Sequence, residues 1–220
     1  MTAETPLLTS GRAVEVDTPV GAARATLYRP SGPVRGRLLL GHGAGGGSDA
    51  VAHDLLVAAS SAVAQGWVAV LVDQPWKVAG RRVAVAPPRL DEAWVAVVGH
   101  LRDAVPETAD GPPLVVGGRS AGARVACRTA AATGASAVLC LAFPLVPAGR
   151  PEKSRAAELP QDLPTLVVQG ERDRFGGPAD VAAVVRSNVA VAGVRGDHSL
   201  RADDAGLRAA VRAFLDASAK

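Results

Sequence analysis

Short apolar runs alternate with longer amphipathic segments along most of the chain. Residues 13–17 and 24–29 alternate polar and apolar side chains and flank a Thr-Pro-Val-Gly turn signal, which predicts an antiparallel hairpin of half-buried strands. Continuous apolar runs, typical of strands that are covered on both faces, follow at residues 37–40, 67–72, 114–116, 137–143, 165–168 and 189–194.

Segments with one apolar face lie between these runs and predict helices. The predicted helices span residues 48–65, 90–105, 120–132, 177–187 and 203–217. Ser48 and Asp49 supply N-cap chemistry for the first of them. About eight strands, the later ones separated by helices, predict an α/β fold with a doubly wound, mostly parallel sheet and helices on both faces. The two long irregular segments, 74–88 and 144–163, follow strand ends, where such sheets place their ligands.

The composition is that of one globular domain. Of the 220 residues, 48% are hydrophobic and 20% are charged, which excludes a disordered chain. Only 3% are aromatic, so the core is predicted to consist of Ala, Val and Leu. The net charge of +3 comes mostly from arginines scattered among acidic residues, without a basic patch or interleaved aromatic residues, which argues against nucleic-acid binding.

Signals for membranes and metals are missing from the sequence. No run reaches the ~18 apolar residues that a membrane span requires, and residues 1–12 lack the hydrophobic run of a secretory signal. We therefore expect a cytoplasmic protein without a membrane partner. Cys127 and Cys140 lie in apolar runs without the spacing of metal ligands, which favours two buried thiols over a disulfide and predicts no metal site.

Ser120 stands in the sequence Gly-Arg-Ser-Ala-Gly, directly after a predicted strand and at the start of a predicted helix. A nucleophilic serine on a tight strand-to-helix turn needs torsions that crowd its neighbours, and glycines two residues before and after it remove the Cβ atoms that would clash. The helix that follows points its free N–H groups at the developing negative charge. This context favours a nucleophile over a chance match in a chain with 24 glycines.

A serine hydroxyl needs a base, and the base needs an acid that orients it. His198 follows the last predicted strand, and Asp173 follows the strand before it. The chain order Ser120, Asp173, His198 differs from the orders in chymotrypsin and subtilisin but places each residue just past a strand. We therefore predict that these three residues form a catalytic triad at one edge of the sheet.

Other histidines and carboxylates compete for these roles. Glu171 lies closer to its strand end and stays a minor alternative for the acid. Asp197, next to the predicted base, is interpreted as a loop-capping or solvated carboxylate. His53 and His100 lie on predicted helices and are interpreted as surface or structural residues. His42, in the glycine run 41–47, is interpreted as bracing that loop by hydrogen bonds.

Two backbone N–H groups are candidates for an oxyanion hole. One belongs to Ala121, directly after the nucleophile, and the other to Ala44, in the glycine-rich loop after the third strand. The same glycine run also fits a loop that cradles phosphate. It lacks both the Gly-Lys-Ser/Thr ending of a P-loop and the Gly-x-Gly-x-x-Gly register of a dinucleotide site, so the oxyanion hole is favoured.

Taken together, the segments 40–46, 117–124, 143–145, 149–153, 168–173 and 196–199 resemble the α/β-hydrolase superfamily. More narrowly, they resemble its small, lidless branch related to the dienelactone hydrolases. The resemblance spans nearly the whole chain and implies an α/β-hydrolase fold with Ser120 as nucleophile, Asp173 as acid and His198 as base. The serine replaces the cysteine nucleophile of the dienelactone hydrolases, which argues against lactone hydrolysis as the native activity. Because residues 144–163 are too few for a multi-helix lid, we expect a single domain over residues 1–220 without a cap domain.

The expected function is hydrolysis of a small-molecule acyl ester through an acyl-enzyme, by a monomer or homodimer that needs no cofactor. A thioesterase or acyltransferase on the same triad, and a catalytically silent interaction module of the same fold, remain alternatives. Trp76 and Arg119 are predicted to contact the substrate, whereas Trp67 and Trp94 are assigned to the core. Arg119 favours an anionic substrate unless a buried hydrogen-bond network holds it. Three cations of the segment 144–163 have the same two interpretations, as substrate contacts or as solvated side chains: Arg150, Lys153 and Arg155.

Overall fold

The computed structural model describes residues 8, 10–45, 51–109, 111–147, 149–150 and 152–220. The strands of this part of the chain are β1 (Arg12–Thr18), β2 (Gly21–Tyr28), β3 (Gly36–Gly41), β4 (Trp67–Asp73), β5 (Leu114–Arg119), β6 (Ala137–Leu141), β7 (Thr165–Gly170) and β8 (Val189–Val194). They form one sheet in the order β1-β2-β4-β3-β5-β6-β7-β8. β2 runs antiparallel to both β1 and β4, and all other neighbouring strands are parallel.

Helices cover both faces of this sheet. The helices of the described residues are α1 (His53–Ala64), α2 (Pro75–Val78), α3 (Pro87–Ala104), α4 (Ala121–Thr129), α5 (Pro178–Ala182) and α6 (Asp204–Ser218). α3 and α4 pack on one face and α1 and α6 on the other, and each face has its own cluster of buried apolar side chains. The predicted fold, a doubly wound, mostly parallel sheet of eight strands between helices, is confirmed.

The central strands explain the continuous apolar runs in the sequence. Every residue of β3 is buried, and successive leucines face opposite layers: Leu39 packs with the α3–α4 layer, whereas Leu38 and Leu40 pack with the α1–α6 layer. β1, at the edge of the sheet, instead buries only one side chain fully, Val16, because its outer face meets solvent. No helix in the described ranges is long and apolar enough to cross a membrane.

Several predicted helix boundaries were wrong. α1 begins at His53 rather than at residue 48, and the predicted cap residues Ser48 and Asp49 lie outside the described residues. α5 ends at Ala182 instead of residue 187, since the segment after it finds no buried surface and leaves Val184 exposed. The short helix α2, which begins with a proline at its first position, lies in a segment for which no element was predicted.

The direction of the parallel strands determines where the candidate site residues lie. β3, β5, β7 and β8 run in the same direction, so their carboxyl ends lie at one edge of the sheet. The loops that leave these ends carry, in order along the chain, Ala44, Ser120, Asp173 and His198. Residues that are distant in sequence are thereby brought to one edge, as the strand-end rule for α/β sheets predicts.

Candidate active site

Ser120 occupies the sharp turn between β5 and α4. Its backbone has φ +52° and ψ −108°, a conformation that L-residues rarely adopt and that costs on the order of 1–3 kcal/mol. The Ser120 N–H donates to the carbonyl oxygen of Leu141 at 2.9 Å, which ties the turn to the end of β6. The turn places the Ser120 hydroxyl just after the end of β5, at the start of α4.

The glycines around Ser120 make room for the end of β3. A Cβ atom on Gly118 would stand 2.4 Å from the Gly41 carbonyl oxygen, and one on Gly122 would stand 2.3 Å from the same atom. Real Cβ atoms do not approach backbone that closely, so any side chain at either position would push β3 and α4 apart. The two glycines are therefore required by the packing of the turn against β3, as well as by the torsions of the turn itself.

The structure brings Ser120, His198 and Asp173 into one hydrogen-bonded row. His198 Nε2 lies 3.0 Å from Ser120 Oγ, and His198 Nδ1 lies 2.7 Å from Asp173 Oδ2. Because the ionised carboxylate can only accept, Nδ1 carries the proton and Nε2 is free to accept the proton of the serine hydroxyl. The Asp173 side chain is fully buried, whereas 18% of the His198 side chain is exposed.

Asp173 is held by donors on both of its oxygens. Gln169 Nε2 donates to Asp173 Oδ2 at 2.9 Å, and the Phe175 N–H donates to Asp173 Oδ1 at 2.9 Å. Gln169, itself fully buried, also lies within hydrogen-bond distance of the carbonyl oxygens of Phe143 and Gly176. The carboxylate thus has a fixed position and a fixed orientation before any substrate arrives.

The turn that carries His198 is shaped by its own side chains. Asp197 Oδ1 accepts hydrogen bonds from the Ser199 N–H at 2.9 Å and from its hydroxyl at 2.6 Å, and these bonds lower the pKa of Asp197. The next residue, Leu200, is fully buried and anchors the turn in the core. A Cβ on Gly170 would stand 2.3 Å from the Asp197 carbonyl oxygen, so this glycine lets the end of β7 touch the His198 turn.

Phe175 packs beside the imidazole, which the sequence analysis did not anticipate. The centres of the Phe175 and His198 rings are 4.6 Å apart with the planes inclined at 65°, an edge-to-face contact. The Arg174 guanidinium lies 4.8 Å from the centre of the Phe175 ring. The Phe175 ring therefore restricts the rotation of the imidazole. Its signal in the sequence was the position of Phe175 two residues after Asp173.

Arg119, adjacent to Ser120, connects two other parts of the site. Its Nε lies 3.0 Å from Asp54 Oδ2 on α1, and its Nη2 donates to the His198 carbonyl oxygen at 2.9 Å. Burial raises the pKa of Asp54, and the Arg119 guanidinium opposes that rise. Two of the three guanidinium nitrogens are thus committed to protein partners. These contacts match the interpretation of Arg119 as a member of a buried network.

The three cationic side chains between β6 and β7 differ in exposure and in hydrogen bonding. Arg155 Nη1 donates to the Pro144 carbonyl oxygen at 3.0 Å and so pins its own loop, while Arg150 and Lys153 are exposed. The described part of the segment 144–163 contains one short 3₁₀ turn, Ala156–Glu158. Glu158 binds outward arginines of α4 and thereby fastens this loop to the helix that follows Ser120.

The competing candidates of the sequence analysis have other partners. Glu171 is exposed, and His198 Nδ1 pairs with Asp173 Oδ2 instead. His53 Nε2 lies 2.8 Å from Asp204 Oδ1, which joins α1 to α6, and His100 is exposed on α3. Both histidines are therefore structural or surface residues, as predicted. Cys127 and Cys140 are buried free thiols with their sulfurs 3.4 Å apart, which confirms that prediction too.

His42 braces the loop after β3. Its Nδ1 donates to the Gly43 carbonyl oxygen at 2.8 Å, and its Nε2 accepts from the Gln74 N–H at 3.0 Å. Burial lowers the pKa of His42, in keeping with a neutral ring that donates on one side and accepts on the other. The ring also lies 5.2 Å from that of Trp76. The interpretation of His42 as a structural residue is confirmed.

A cleft opens beside Ser120 between the loop after β3 and helices α2, α3 and α4. Its accessible volume is about 10 Å³, which is room for about one water molecule. Its lining includes Ala44, Gln74, Trp76, Leu90, Trp94 and Ala121. Both candidate oxyanion donors thus border one cleft, as does Trp76, whereas Trp94, assigned to the core from the sequence, also forms part of the wall. Within the described residues, no group of three His, Cys, Asp or Glu residues is arranged to hold a metal ion.

Comparison with solved structures identifies the same architecture. The lidless α/β serine hydrolase XC6422 of Xanthomonas campestris superposes with a TM-score of 0.76 over 96% of this chain and 97% of its own, at 22% sequence identity. Est1E of Butyrivibrio proteoclasticus gives 0.74 over 95% and 99% at 16% identity. The Pyrococcus furiosus esterase Pf2001 gives 0.71 over 96% and 93% at 16% identity.

The sequence itself carries the family assignment. Residues 34–212 match the model of the alpha/beta hydrolase domain, a range that runs from just before β3 into α6 and includes every candidate site residue. The comparison with curated proteins finds no match. The family model covers most of the chain, and the superposed hydrolases share its fold from end to end. The chain therefore belongs to the α/β-hydrolase superfamily.

Proposed function

We propose that this protein is a serine hydrolase that cleaves small acyl esters through a covalent acyl-enzyme on Ser120. The observation that carries the proposal is the position of the His198 ring, 3.0 Å from Ser120 Oγ and 2.7 Å from the buried Asp173 carboxylate. A neutral imidazole with Nδ1–H directed at a carboxylate is the arrangement that activates a serine hydroxyl.

In the first half of the reaction, Ser120 Oγ attacks the ester carbonyl carbon while His198 Nε2 takes the hydroxyl proton. The carbonyl oxygen becomes an oxyanion, and Asp173 stabilises the imidazolium that forms. When the tetrahedral intermediate collapses, the bond to the alkoxy group breaks. Nε2 returns its proton to the departing oxygen, so that an alcohol leaves and the acyl group stays on Ser120.

In the second half, water replaces the alcohol. His198 Nε2 takes a proton from a water molecule, whose oxygen attacks the acyl carbon. Collapse of this second intermediate breaks the bond to Ser120 Oγ, which recovers its proton from Nε2, and a carboxylic acid is released. His198 Nε2 accepts and returns each proton that is transferred in the cycle. The imidazole must therefore keep one orientation throughout the reaction.

The oxyanion is assigned to the N–H groups of Ala44 and Ala121. Ala121 is the first residue of α4, so its N–H has no partner within the helix. Ala44 lies across the cleft in the loop that His42 braces. Two preorganised donors at the developing charge are worth several kcal/mol of transition-state stabilisation, about 3 kcal/mol for each donor removed in a well-studied protease.

The decisive experiment compares hydrolysis of 4-nitrophenyl butanoate by the wild type and by Ser120→Ala. We expect kcat/KM to fall by at least about 10³-fold in the variant, because no other group supplies the nucleophile. Ser136→Ala is the matched control, since its hydroxyl only caps the Leu114 carbonyl and lies at the other end of the sheet. Retained activity in Ser120→Ala would refute the mechanism. A wild type inert toward oxygen esters and thioesters alike would instead identify a silent module of the same fold.

A further inference from the structure

We propose that Arg119 is a positioning residue, which holds the turn that carries His198 and so keeps the imidazole in line with the Ser120 hydroxyl. This inference rests on the proposed serine hydrolase function and adds a residue to its machinery. It is carried by two contacts of one guanidinium group, at 3.0 Å to Asp54 Oδ2 and at 2.9 Å to the carbonyl oxygen of His198.

The direction of the Arg119 side chain follows from the alternation of side chains along β5. Val115, four residues earlier, packs in the α1–α6 layer, and residues two or four apart in a strand share one face of the sheet. Arg119 therefore points from the end of β5 toward the layer of α1, whose first turn carries Asp54. The end of the strand thus directs this side chain away from α3 and α4, which pack on the other face.

Asp54 anchors the guanidinium from the side of α1. Its side chain is buried, and its Oδ1 accepts the Leu55 N–H at 2.9 Å. Burial raises the pKa of this carboxyl group, and the charge of Arg119 and the Leu55 N–H oppose that rise. A buried carboxylate without a cationic partner is costly, so Asp54 favours the conformation in which Arg119 stays beside it. The long arginine side chain is thereby held in one place.

The loop after β3 leaves room for the guanidinium. A Cβ atom on Gly43 would stand 3.0 Å from Arg119 Nη1, which is closer than most real Cβ contacts. The residue after Gly43 is Ala44, to which one oxyanion donor is assigned. The missing side chain at Gly43 thus gives the guanidinium the space that it occupies next to this loop.

The hydrogen bond to the His198 carbonyl oxygen is the link to the proposed base. No other residue among those that the structure describes donates to this oxygen. Other contacts hold the turn on either side, since the Gly196 carbonyl oxygen accepts a backbone N–H at 2.8 Å and Leu200 is fully buried. Arg119 therefore restrains the backbone at the residue whose ring lies 3.0 Å from Ser120 Oγ.

Loss of this restraint should reduce turnover without weakening substrate binding. A displacement of about 1 Å from a productive geometry can cost about 100-fold in rate. We expect kcat of Arg119→Met for 4-nitrophenyl butanoate to fall by about 10- to 100-fold, with KM within about threefold of the wild-type value. The fall should be the same for 4-nitrophenyl acetate, because the guanidinium contacts the protein and not the acyl chain.

A second variant separates positioning from stability. The double variant Asp54→Asn with Arg119→Met has no unpaired buried charge, so it should regain most of the stability that Arg119→Met loses. It still lacks the donor to the His198 carbonyl oxygen, so its kcat should stay at least about tenfold below that of the wild type. Each kcat is measured at a temperature at which circular dichroism shows the protein to be folded.

Arg37→Met is the matched control. Arg37 is also buried and donates to backbone carbonyl oxygens, those of Thr108 and Pro112, but it lies near the amino-terminal end of β3, away from Ser120. Its replacement should lower the free energy of unfolding and leave kcat within about twofold of the wild-type value.

The outcomes separate the positioning role from the proposed function. Recovery of the wild-type kcat in the double variant, or an unchanged kcat in Arg119→Met, would overturn the positioning role and leave the serine hydrolase standing. An equal loss of kcat in Arg37→Met would do the same, because it would show that reduced stability alone lowers turnover. If the wild type hydrolyses no ester, the proposed function fails and the positioning role fails with it.

Discussion

The two sides of Ser120 differ in the kind of contact that holds their side chains. On the His198 side, both oxygens of Asp173 accept hydrogen bonds, and the imidazole is held by the carboxylate and the Phe175 ring. On the cleft side, the lining is mostly apolar, with Trp76, Leu90 and Val125 among its residues, and His42 braces the loop that borders it. Hydrogen bonds thus fix the first side, and apolar packing shapes the second.

This difference separates chemistry from selectivity. Proton transfer is the same for every ester, so the groups that perform it are best fixed in advance. Recognition differs from one substrate to another, and an apolar cleft discriminates by the size and shape of the group that it admits. Changes on the His198 side should therefore affect all substrates alike, and changes on the cleft side should alter their ranking.

The largest effect is expected from Asp173→Asn. The asparagine keeps the size of the side chain but can present an N–H to His198 Nδ1, which favours the tautomer whose Nε2 cannot accept the Ser120 proton. We expect kcat for 4-nitrophenyl butanoate to fall by about 10³- to 10⁴-fold, and by the same factor for 4-nitrophenyl acetate. Glu171→Gln, at the exposed alternative acid, is the control and should leave kcat within about twofold. Equal losses in the two variants would contradict the assignment of the acid.

Gln169→Leu removes one donor to Asp173 and leaves the Gly176 carbonyl oxygen without its donor, whereas the Phe143 carbonyl oxygen keeps the Leu145 N–H. Each acceptor that loses its donor costs about 1–3 kcal/mol, and removal of the unpaired Gln169 Oε1 recovers part of that cost, so we expect the free energy of unfolding to fall by about 2 kcal/mol. Chemical denaturation measures it. Gln65→Leu, which loses one exposed hydrogen bond to the Arg212 carbonyl oxygen, should cost less than about 1 kcal/mol. Similar losses for both variants would show that Gln169 does not stabilise the acid.

Arg119→Met leaves the buried carboxylate of Asp54 without its partner and frees the His198 carbonyl oxygen. Breaking a fully buried ion pair costs about 3–5 kcal/mol, and the partial exposure of Arg119 reduces this to about 2 kcal/mol. The double variant Asp54→Asn with Arg119→Met should recover most of that loss, because no unpaired charge remains. If the double variant is as unstable as the single one, the pair is not the source of the effect. The activities of Arg119→Met toward neutral esters and toward carboxylate-bearing esters are compared as a second measurement. Their ratio should equal that of the wild type if Arg119 positions the His198 turn and does not bind an anionic substrate.

The smallest effect concerns pH on the cleft side. Burial lowers the pKa of His42 below its ordinary value of about 6.5, so the unfolded chain binds more protons at His42 than the folded protein does as the pH falls through that value. The stability contributed by the neutral ring is present above about pH 6.5 and is lost toward acid. Between pH 7.5 and 5, the wild type should therefore lose more of its free energy of unfolding than His42→Asn. Identical losses would mean that His42 titrates equally in both states.

Much of the candidate site could be predicted, because the sequence pattern indicates which segments form buried parallel strands and where each strand ends. The runs before Ser120, Asp173 and His198 each predict a buried parallel strand, and parallel strands bring their ends to one edge. The contact of the three side chains agrees with that prediction. Their catalytic roles stay part of the proposed function.

The rest depends on contacts between segments that the sequence does not pair. The partner of Arg119 is Asp54 on α1, and only the packing of that helix on the sheet shows it. Trp94 lies on the apolar stripe of α3, and nothing in that pattern distinguishes a side chain in the core from one that lines a cleft. Gln169 offered a signal that was missed, since a lone amide in the apolar strand β7 must find buried partners.

The central claim, that His198 activates Ser120 as a nucleophile, is tested most directly with an active-site-directed fluorophosphonate. The label should be found by peptide mass mapping on Ser120 of the wild type. In His198→Ala, shown by circular dichroism to be folded, we expect the rate of labelling to fall by at least about 10²-fold, because the general base is gone. Labelling of another residue, or equal labelling rates in the two proteins, would contradict the account.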